Sequence, residues 1–332
     1  MLGKLCGLIA AVLVCIVAMM VAVLMEPPSV TTLGEPGQGP LPAGQTHEAG
    51  SSGKTSGASP DGVVGVVRGE EQAPMGSGGM FNKIAAFYDS TNKVLSFGQD
   101  QRWRSTLVQE CLGLQPGDRV LDLATGTADM TLLIASELQQ LAAGKAADDS
   151  VLGVDPSTQM LRIGVSKVEG QGMKGVVRLV KGDAQNLTEV QGIDAAGTLA
   201  EPTAGIATGS IDKISMAFGI RNVPDRARAL REMRRVLKSS TASRVCILEL
   251  SLPPGDSFLP RLARGFITGA VPVIGKVVGG GEEYEYLKES ILKFPDSLAF
   301  AEQMGQSGLP VHSITSFGYG AVNIFAAAPA QR

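Results

Sequence analysis

Residues Val120 to Met130, reading Val-Leu-Asp-Leu-Ala-Thr-Gly-Thr-Ala-Asp-Met, constrain the fold more than any other stretch of this chain. Val120–Leu123 is a short apolar run with one acid, the pattern of a strand buried on both faces. Small residues follow, and from Met130 to Leu141 apolar residues recur at helical spacing. A strand, a glycine turn and a helix in that order aim backbone N–H groups and a helix N-terminus at a nucleotide-like ligand. The dinucleotide fingerprint G-x-G-x-x-G is not met, because Ala128 and Thr131 stand at its second and third glycines.

The next two strands narrow the ligand. Ser150–Val154 predicts a second strand closed by Asp155, and the following Pro-Ser-Thr-Gln-Met-Leu reads as a capped helix start. An acid closing that strand is where a ribose diol is held, its oxygens accepting both hydroxyl protons. Val176–Lys181 predicts a third strand that ends in Gly182-Asp183-Ala184. Three strand-end acids beside the turn at Gly126 suit S-adenosylmethionine: Asp122 near the methionine part, Asp155 on the ribose, Asp183 near the adenine. The competing reading is that each acid only caps the helix after it.

Ile211–Phe218 predicts a fourth strand and Val245–Leu250 a fifth, with a basic amphipathic helix over Arg226–Leu237 between them. Strands alternating with helices predict an α/β fold with a doubly wound, mostly parallel sheet. Leu187 to Ser210 is rich in Gly, Ala and Thr and reads as a surface insertion. Met80–Arg104 suggests two short helices in which Phe81, Phe87, Tyr88 and Trp103 form an apolar lid, with ordinary core packing as the competing reading. Pro260–Val278 is apolar at loose helical spacing and reads as a tunnel wall, a membrane-surface segment or a core helix.

The front of the chain is different. Leu5–Met25 is an almost unbroken apolar run behind Lys4, at about twenty residues enough to cross a bilayer as a helix. It reads as a signal-anchor, with a cleaved leader as runner-up. A mitochondrial transit peptide would be rich in arginine, and the first arginine here is Arg68. Residues 26–79 hold mainly Gly, Pro, Ser, Thr and Ala, which predicts a disordered linker. The expected organisation is an anchor or leader over 1–25, a linker over 26–79 and one catalytic domain over 80–332.

With a net charge of −3 and mixed signs, nothing suggests a nucleic-acid footprint. Four cysteines (Cys6, Cys15, Cys111, Cys246) show no paired spacing, so neither a metal site nor a disulfide framework is expected. With His47 and His312 the only histidines, a Ser-His-Asp triad is not expected either.

Several runs resemble the UbiE/COQ5 methyltransferases. They are Met80–Asp89 with Leu95–Arg104, Leu121-Asp122-Leu123-Ala124-Thr125-Gly126-Thr127, Phe218-Gly219-Ile220-Arg221-Asn222-Val223-Pro224-Asp225, Arg235-Val236-Leu237-Lys238 and Leu248-Glu249-Leu250-Ser251. Glu283-Tyr284-Glu285-Tyr286-Leu287-Lys288-Glu289-Ser290-Ile291 with Phe294-Pro295 resembles them too. The strand-turn-acid pattern alone fits any class I methyltransferase; the Phe-Gly-Ile-Arg-Asn-Val and Tyr-x-Tyr-Leu runs are far more specific.

The resemblance implies a Rossmann-like class I methyltransferase that uses S-adenosylmethionine to C-methylate a polyprenylated quinol. A benzoquinol in ubiquinone biosynthesis is the expected acceptor, of the 2-methoxy-6-polyprenyl-1,4-benzoquinol type. A naphthoquinol, as in a demethylmenaquinone or demethylphylloquinol methyltransferase, is the alternative. Thr127 falls at the family's cofactor-contact threonine, Asp155 at the ribose acid, and Asp183 with Ala184 at the adenine-side pair. Arg221 is the expected catalytic residue, stabilising a developing phenolate or ordering a water; a salt bridge to Asp225 or another acid is the competing reading. Asn222, Tyr284 and Tyr286 are expected in the substrate pocket.

The resemblance further implies the mitochondrial inner membrane as location, with a plastid or endomembrane route as alternative. It also implies a quinone-biosynthetic complex or a homodimer as partners. Ala128 departs from the glycine expected before Asp129, and Ser239-Ser240-Thr241 from Pro-Gly-Gly. Two other function classes stay open at this point. One is a nicotinamide-dependent Rossmann oxidoreductase, which the missing glycines disfavour; the other is a non-catalytic scaffold.

Overall fold

The computed structural model describes residues 26–33, 78–85, 88–270 and 281–330. The apolar run Leu5–Met25 and most of the linker lie outside the described residues, as do Phe87 and the second half of Pro260–Val278. Among the described residues no helix is long and apolar enough to cross a membrane.

The chain enters through β1 (Ser29–Thr32), which pairs antiparallel with a strand near the C-terminus. The linker reading is corrected here: Ser29–Thr32 belongs to the sheet, and among the described residues a helix already starts at Gly78, inside the predicted linker. All four β1 side chains are exposed. The strand is held by main-chain hydrogen bonds and buries nothing that composition could register.

Three helices follow: α1 (Gly78–Ile84), α2 (Tyr88–Leu95) and α3 (Gln99–Thr106), the last running into a π-helical turn at Leu107–Cys111. Then strands and helices alternate as predicted: β2 (Val120–Leu123), α4 (Asp129–Leu141), β3 (Val151–Asp155), α5 (Thr158–Gly170) and β4 (Val177–Asp183). Ser157 caps α5 by accepting the Met160 N–H at 3.2 Å, as the Pro-Ser-Thr-Gln pattern predicts.

The stretch read as a surface insertion instead forms β5 (Asn186–Gly192) and β6 (Thr203–Ala204), which extend the sheet antiparallel beyond β4. Leu187, Val190 and Ile206 are buried in the core, apolar groups too widely spaced to give a period. The chain then returns as β7 (Lys213–Ala217), α6 (Arg226–Val236) and β8 (Arg244–Leu250). In α6, Ala229, Leu230, Met233 and Val236 form the buried stripe while arginines cover the outer face. Last come α7 (Phe258–Gly265), α8 (Gly281–Lys293), α9 (Ser297–Gln306), β9 (Val311–Phe317) and β10 (Val322–Ala327).

The sheet order is β1-β9-β10-β8-β7-β2-β3-β4-β5-β6. The block β8-β7-β2-β3-β4 is parallel, and β10 lies antiparallel beside β8. Strand residues alternate between two cores, with Leu121 and Leu123 packing toward α6 and α9 and Val120 toward α4.

The expectation of unpaired cysteines is corrected as well. Cys111 and Cys246 form a disulfide across 135 residues, with their Cα atoms 6.2 Å apart. The sheet brings β8 against the end of α3, a proximity that spacing along the chain does not reveal.

Candidate functional site

From β2 the chain winds outward through β3 and β4, then crosses back to β7 and β8 on the other side. At such a switch point the loops leaving β2 and β7 diverge and open a crevice at the carboxyl ends of the strands. A cavity of about 330 Å³ lies there. Its floor is Ala124 and Gly126 after β2, Val154 and Asp155 ending β3, Gly182, Asp183 and Ala184 ending β4, and Phe218 and Gly219 after β7. Phe81 of α1 and Tyr88 of α2 close it from the N-terminal side, and Asn222 stands at the far wall.

Local backbone makes this shape. Ala124 and Phe218 both hold left-handed conformations, with φ of 53° and 57°. Such non-glycine residues persist where the surrounding structure over-determines them, which is common around binding sites. A Cβ on Gly219 would sit 2.5 Å from the Ala124 Cβ, so only glycine lets the two loops touch. Ala128 is also left-handed, with φ of 68°, and stands fully buried at the start of α4. It takes a conformation that glycine adopts more easily, and it does not line the cavity.

Asp155 is the best-defined acid of the site. One oxygen accepts the Gly126 N–H at 2.9 Å and the other accepts the Ser157 N–H at 2.8 Å. Each oxygen keeps a lone pair, so a diol can still be bound. Burial pushes the carboxyl up to about 6, against the two backbone N–H bonds that lower it, and the charge of Asp122 adds to the rise. Asp183 lines the same cavity at the exposed end of β4, and its carboxylate accepts from the Gln185 backbone and side chain. Among the described lining residues the charged side chains are Asp155 and Asp183, both acidic. That charge suits a cationic sulfonium and offers no cationic partner to a dinucleotide's phosphates.

Not every expected contact reaches the cavity. Asp122 is buried below it, where its carboxylate accepts from Ser215 Oγ at 2.7 Å and Thr131 Oγ1 at 2.6 Å, and burial raises its pKa. It ties β2 to β7 and α4. Thr127 is 3% exposed, and its hydroxyl donates to Asp89 Oδ1 at 2.7 Å. Trp103 is a core residue, its ring 6.3 Å from both Phe218 and Phe317, while Phe81 and Tyr88 are the expected aromatics that line the cavity among the described residues.

The competing reading of Arg221 describes its surroundings. Its Nη1 donates to Glu249 Oε1 at 2.6 Å and to the Phe218 carbonyl at 3.1 Å, and its Nε donates to Ser290 Oγ at 3.2 Å. Arg221 is therefore committed behind the wall and does not line the cavity. Its neighbour Asn222 does, and accepts the Tyr286 hydroxyl at 3.0 Å from α8. Burial holds the Tyr286 phenol above its usual range, so it stays protonated at neutral pH. Tyr284 also falls in α8, but its side chain lies outside the described residues.

Sequence reading missed Glu249 as the partner of Arg221 and missed the residues that fasten the lid: Asn82, Asp89 and Lys167. The signal for Glu249 was present, one acid near the end of an apolar strand beside the arginine-bearing loop.

A switch-point cavity with a buried acid closing β3, a second acid at the next strand end and a glycine turn has the arrangement of a class I S-adenosylmethionine-dependent methyltransferase. The model of the ubiE/COQ5 methyltransferase family matches residues 69–328, and the chain belongs to that family. It is 36% identical over 241 residues to the ubiquinone/menaquinone biosynthesis C-methyltransferase UbiE of Geobacter sulfurreducens, covering 72% of this chain and 83% of the relative. It is 34% identical over 247 residues to the demethylmenaquinone methyltransferase of Thermus thermophilus, covering 74% and 98%. The protein is thus a C-methyltransferase of the quinone-biosynthesis type with S-adenosylmethionine as cofactor.

A pH dependence of cofactor binding is expected from Asp155. A carboxyl titrating at about 6 is ionised at pH 7.5 and about nine-tenths protonated at pH 5. The protonated acid has lost acceptor capacity toward a diol, so affinity falls with acid. Titration calorimetry should show the Kd for S-adenosylmethionine rising about tenfold from pH 7.5 to pH 5. A Kd that stays level over this range would show that Asp155 does not hold the ribose.

Proposed function

We propose that the enzyme methylates a ring carbon of a polyprenylated benzoquinol, of the 2-methoxy-6-polyprenyl-1,4-benzoquinol type, in ubiquinone biosynthesis. The observation that carries this reading is Asn222 at the wall of the acid-lined cavity, its amide oxygen held by the Tyr286 hydroxyl. When bound, S-adenosylmethionine supplies a methyl already activated on a cationic sulfur. Asp155 would hold its ribose hydroxyls, and Asp183 with Ala184 its adenine side.

The chain's remaining task is to align the acceptor and keep water out. A quinol carbon becomes nucleophilic as a ring hydroxyl loses its proton. Asn222 provides an amide at the cavity wall to hold that oxygen, and Tyr286 fixes the amide by donating to it. Tyr286 is a donor here and not a base, because burial raises its pKa. Arg221 acts from behind: its bonds to Glu249 and the Phe218 carbonyl set the 3₁₀ turn Ile220–Asn222.

A naphthoquinol is the second reading, favoured by the relative named as a demethylmenaquinone methyltransferase. The deciding experiment gives the purified protein S-adenosylmethionine with each prenylated quinol in reduced form. Mass spectrometry then shows which ring gains a methyl group. Methylation of the naphthoquinol alone would reverse the order of the two readings, and methylation of neither would remove both.

We also propose that Leu5–Met25 anchors the enzyme to the membrane that holds its lipid-soluble substrate, the mitochondrial inner membrane first, a plastid or endomembrane second. The support is an apolar run of about twenty residues. The full-length chain should stay in the pellet after alkaline carbonate, and its release would dispose of the anchor.

A further inference from the structure

Phe81 and Tyr88, the aromatics that roof the cavity, are each followed by a polar residue that fastens its helix to α5. After Phe81 comes Asn82, whose Oδ1 accepts from Ser157 Oγ at 2.7 Å and from the Gln159 N–H at 3.1 Å, at the start of α5. After Tyr88 comes Asp89, whose Oδ2 accepts from Lys167 Nζ at 2.6 Å, in the last turn of α5. The same ammonium donates to Asp129 Oδ1 at 2.6 Å and to Thr127 Oγ1 at 3.0 Å. One cation thus joins the second roof helix to the glycine turn and to the first residue of α4.

We infer that Lys167 is a positioning residue for the methyl transfer, a latch that sets Tyr88 over the cofactor cavity and registers the roof against the glycine turn. Asp89 and Asp129 share this one ammonium, so without it two carboxylates face each other across the gap between roof and turn. At the Asp89 end the roof then keeps only the Thr127 hydroxyl, which donates to Asp89 Oδ1 at 2.7 Å, and at the other end it keeps Asn82. The latch is also partly open to solvent, with Lys167, Asp89 and Asp129 side chains 28%, 38% and 31% exposed. An ion cluster so placed is weakened by salt and opens at modest cost, which suits a roof that must release a product between turnovers.

The inference rests on the cavity being the cofactor's and not on which quinol ring is used. The test compares the full-length wild type with Lys167→Met and Lys167→Arg. Amide hydrogen exchange, read with no cofactor or acceptor present, should quicken about fivefold in residues 88–95 of Lys167→Met and stay level in β2, β3 and β7. The KM for S-adenosylmethionine should rise about fivefold with kcat within about twofold, and Lys167→Arg should recover most of it. Added salt should loosen the roof of the wild type toward that of Lys167→Met and should not loosen the variant further, since there it only screens the Asp89–Asp129 repulsion. Unchanged exchange in 88–95 would overturn the latch. So would faster exchange across the whole sheet with kcat lost, the mark of a merely structural lysine. Failure to methylate any quinol leaves the exchange result standing, so the two readings fail separately.

Discussion

Asp155→Asn weakens S-adenosylmethionine binding by about a hundredfold while leaving the folded protein nearly as stable as before. The first half follows from the count of acceptors. Both Asp155 oxygens already accept a backbone N–H, from Gly126 and Ser157, and only a carboxylate has lone pairs left on both for two hydroxyl protons. An amide turns one acceptor into a donor that meets the Ser157 or the Gly126 N–H. Losing two hydrogen bonds to a charged group, each worth about 1.5 kcal/mol or more, gives the hundredfold estimate.

The second half follows from burial. In the folded state the carboxyl titrates at about 6 against a usual 3.8, so keeping it ionised at neutral pH costs about 3 kcal/mol. The group's contribution to stability is fully present below pH 3.8 and is lost as the pH rises through 6. Asparagine removes that cost and introduces an unmatched donor, and the two effects largely cancel. Calorimetry of binding and thermal melts at pH 5 and pH 7.5 check both halves. Unchanged affinity would mean that the ribose lies elsewhere, and a collapsed melting temperature would mean that Asp155 is chiefly a turn-fixing acid.

The parallel half of the sheet was legible because its strands carry their own signal. Val120–Leu123 is buried on both faces and is apolar but for Asp122, and each strand end meets a small-residue turn or a cap. The cavity acids were legible for the same reason, since Asp155 and Asp183 close strands whose register a parallel sheet fixes. What stayed hidden depends on partners distant in sequence. β1 is held by pairing with β9 and leaves its side chains outside. Cys111 meets Cys246 only once β8 lies against the end of α3.

Side-chain commitment was the other blind spot. Position alone puts Asp122, Thr127 and Arg221 near the cofactor, yet each is occupied by the protein itself: Asp122 by Thr131 and Ser215, Thr127 by Asp89 and Lys167, Arg221 by Glu249. A sequence shows which residue reaches a sheet edge, while hydrogen-bond saturation decides whether it has anything left to give a ligand.

Arg221→Ala lowers stability and turnover together, and for the same reason. Glu249 is fully buried and accepts from Arg221 Nη1, from the Arg221 N–H and, at 2.8 Å, from its neighbour Leu250 N–H. Removing the guanidinium leaves a buried carboxylate without its countercharge, a change that typically costs about 3–5 kcal/mol. In a domain of this size that corresponds to a melting temperature lower by about 6–20 °C. The Ile220–Asn222 turn keeps its backbone N–H bond to Glu249 but loses the guanidinium bonds to Glu249, the Phe218 carbonyl and Ser290, so Asn222 shifts at the cavity wall and kcat falls.

Glu249→Gln separates this account from a direct role on the acceptor. If Arg221 itself stabilised a phenolate, loosening it from Glu249 would preserve or raise kcat. If the pair positions Asn222, Glu249→Gln lowers kcat and stability in the same direction as Arg221→Ala, by less, because the amide oxygen still accepts from the guanidinium. Thermal melts and quinol methylation of both variants read the two quantities side by side. An Arg221→Ala protein that melts like the wild type but turns over about 10²–10³ times more slowly would return the arginine to the reacting atoms.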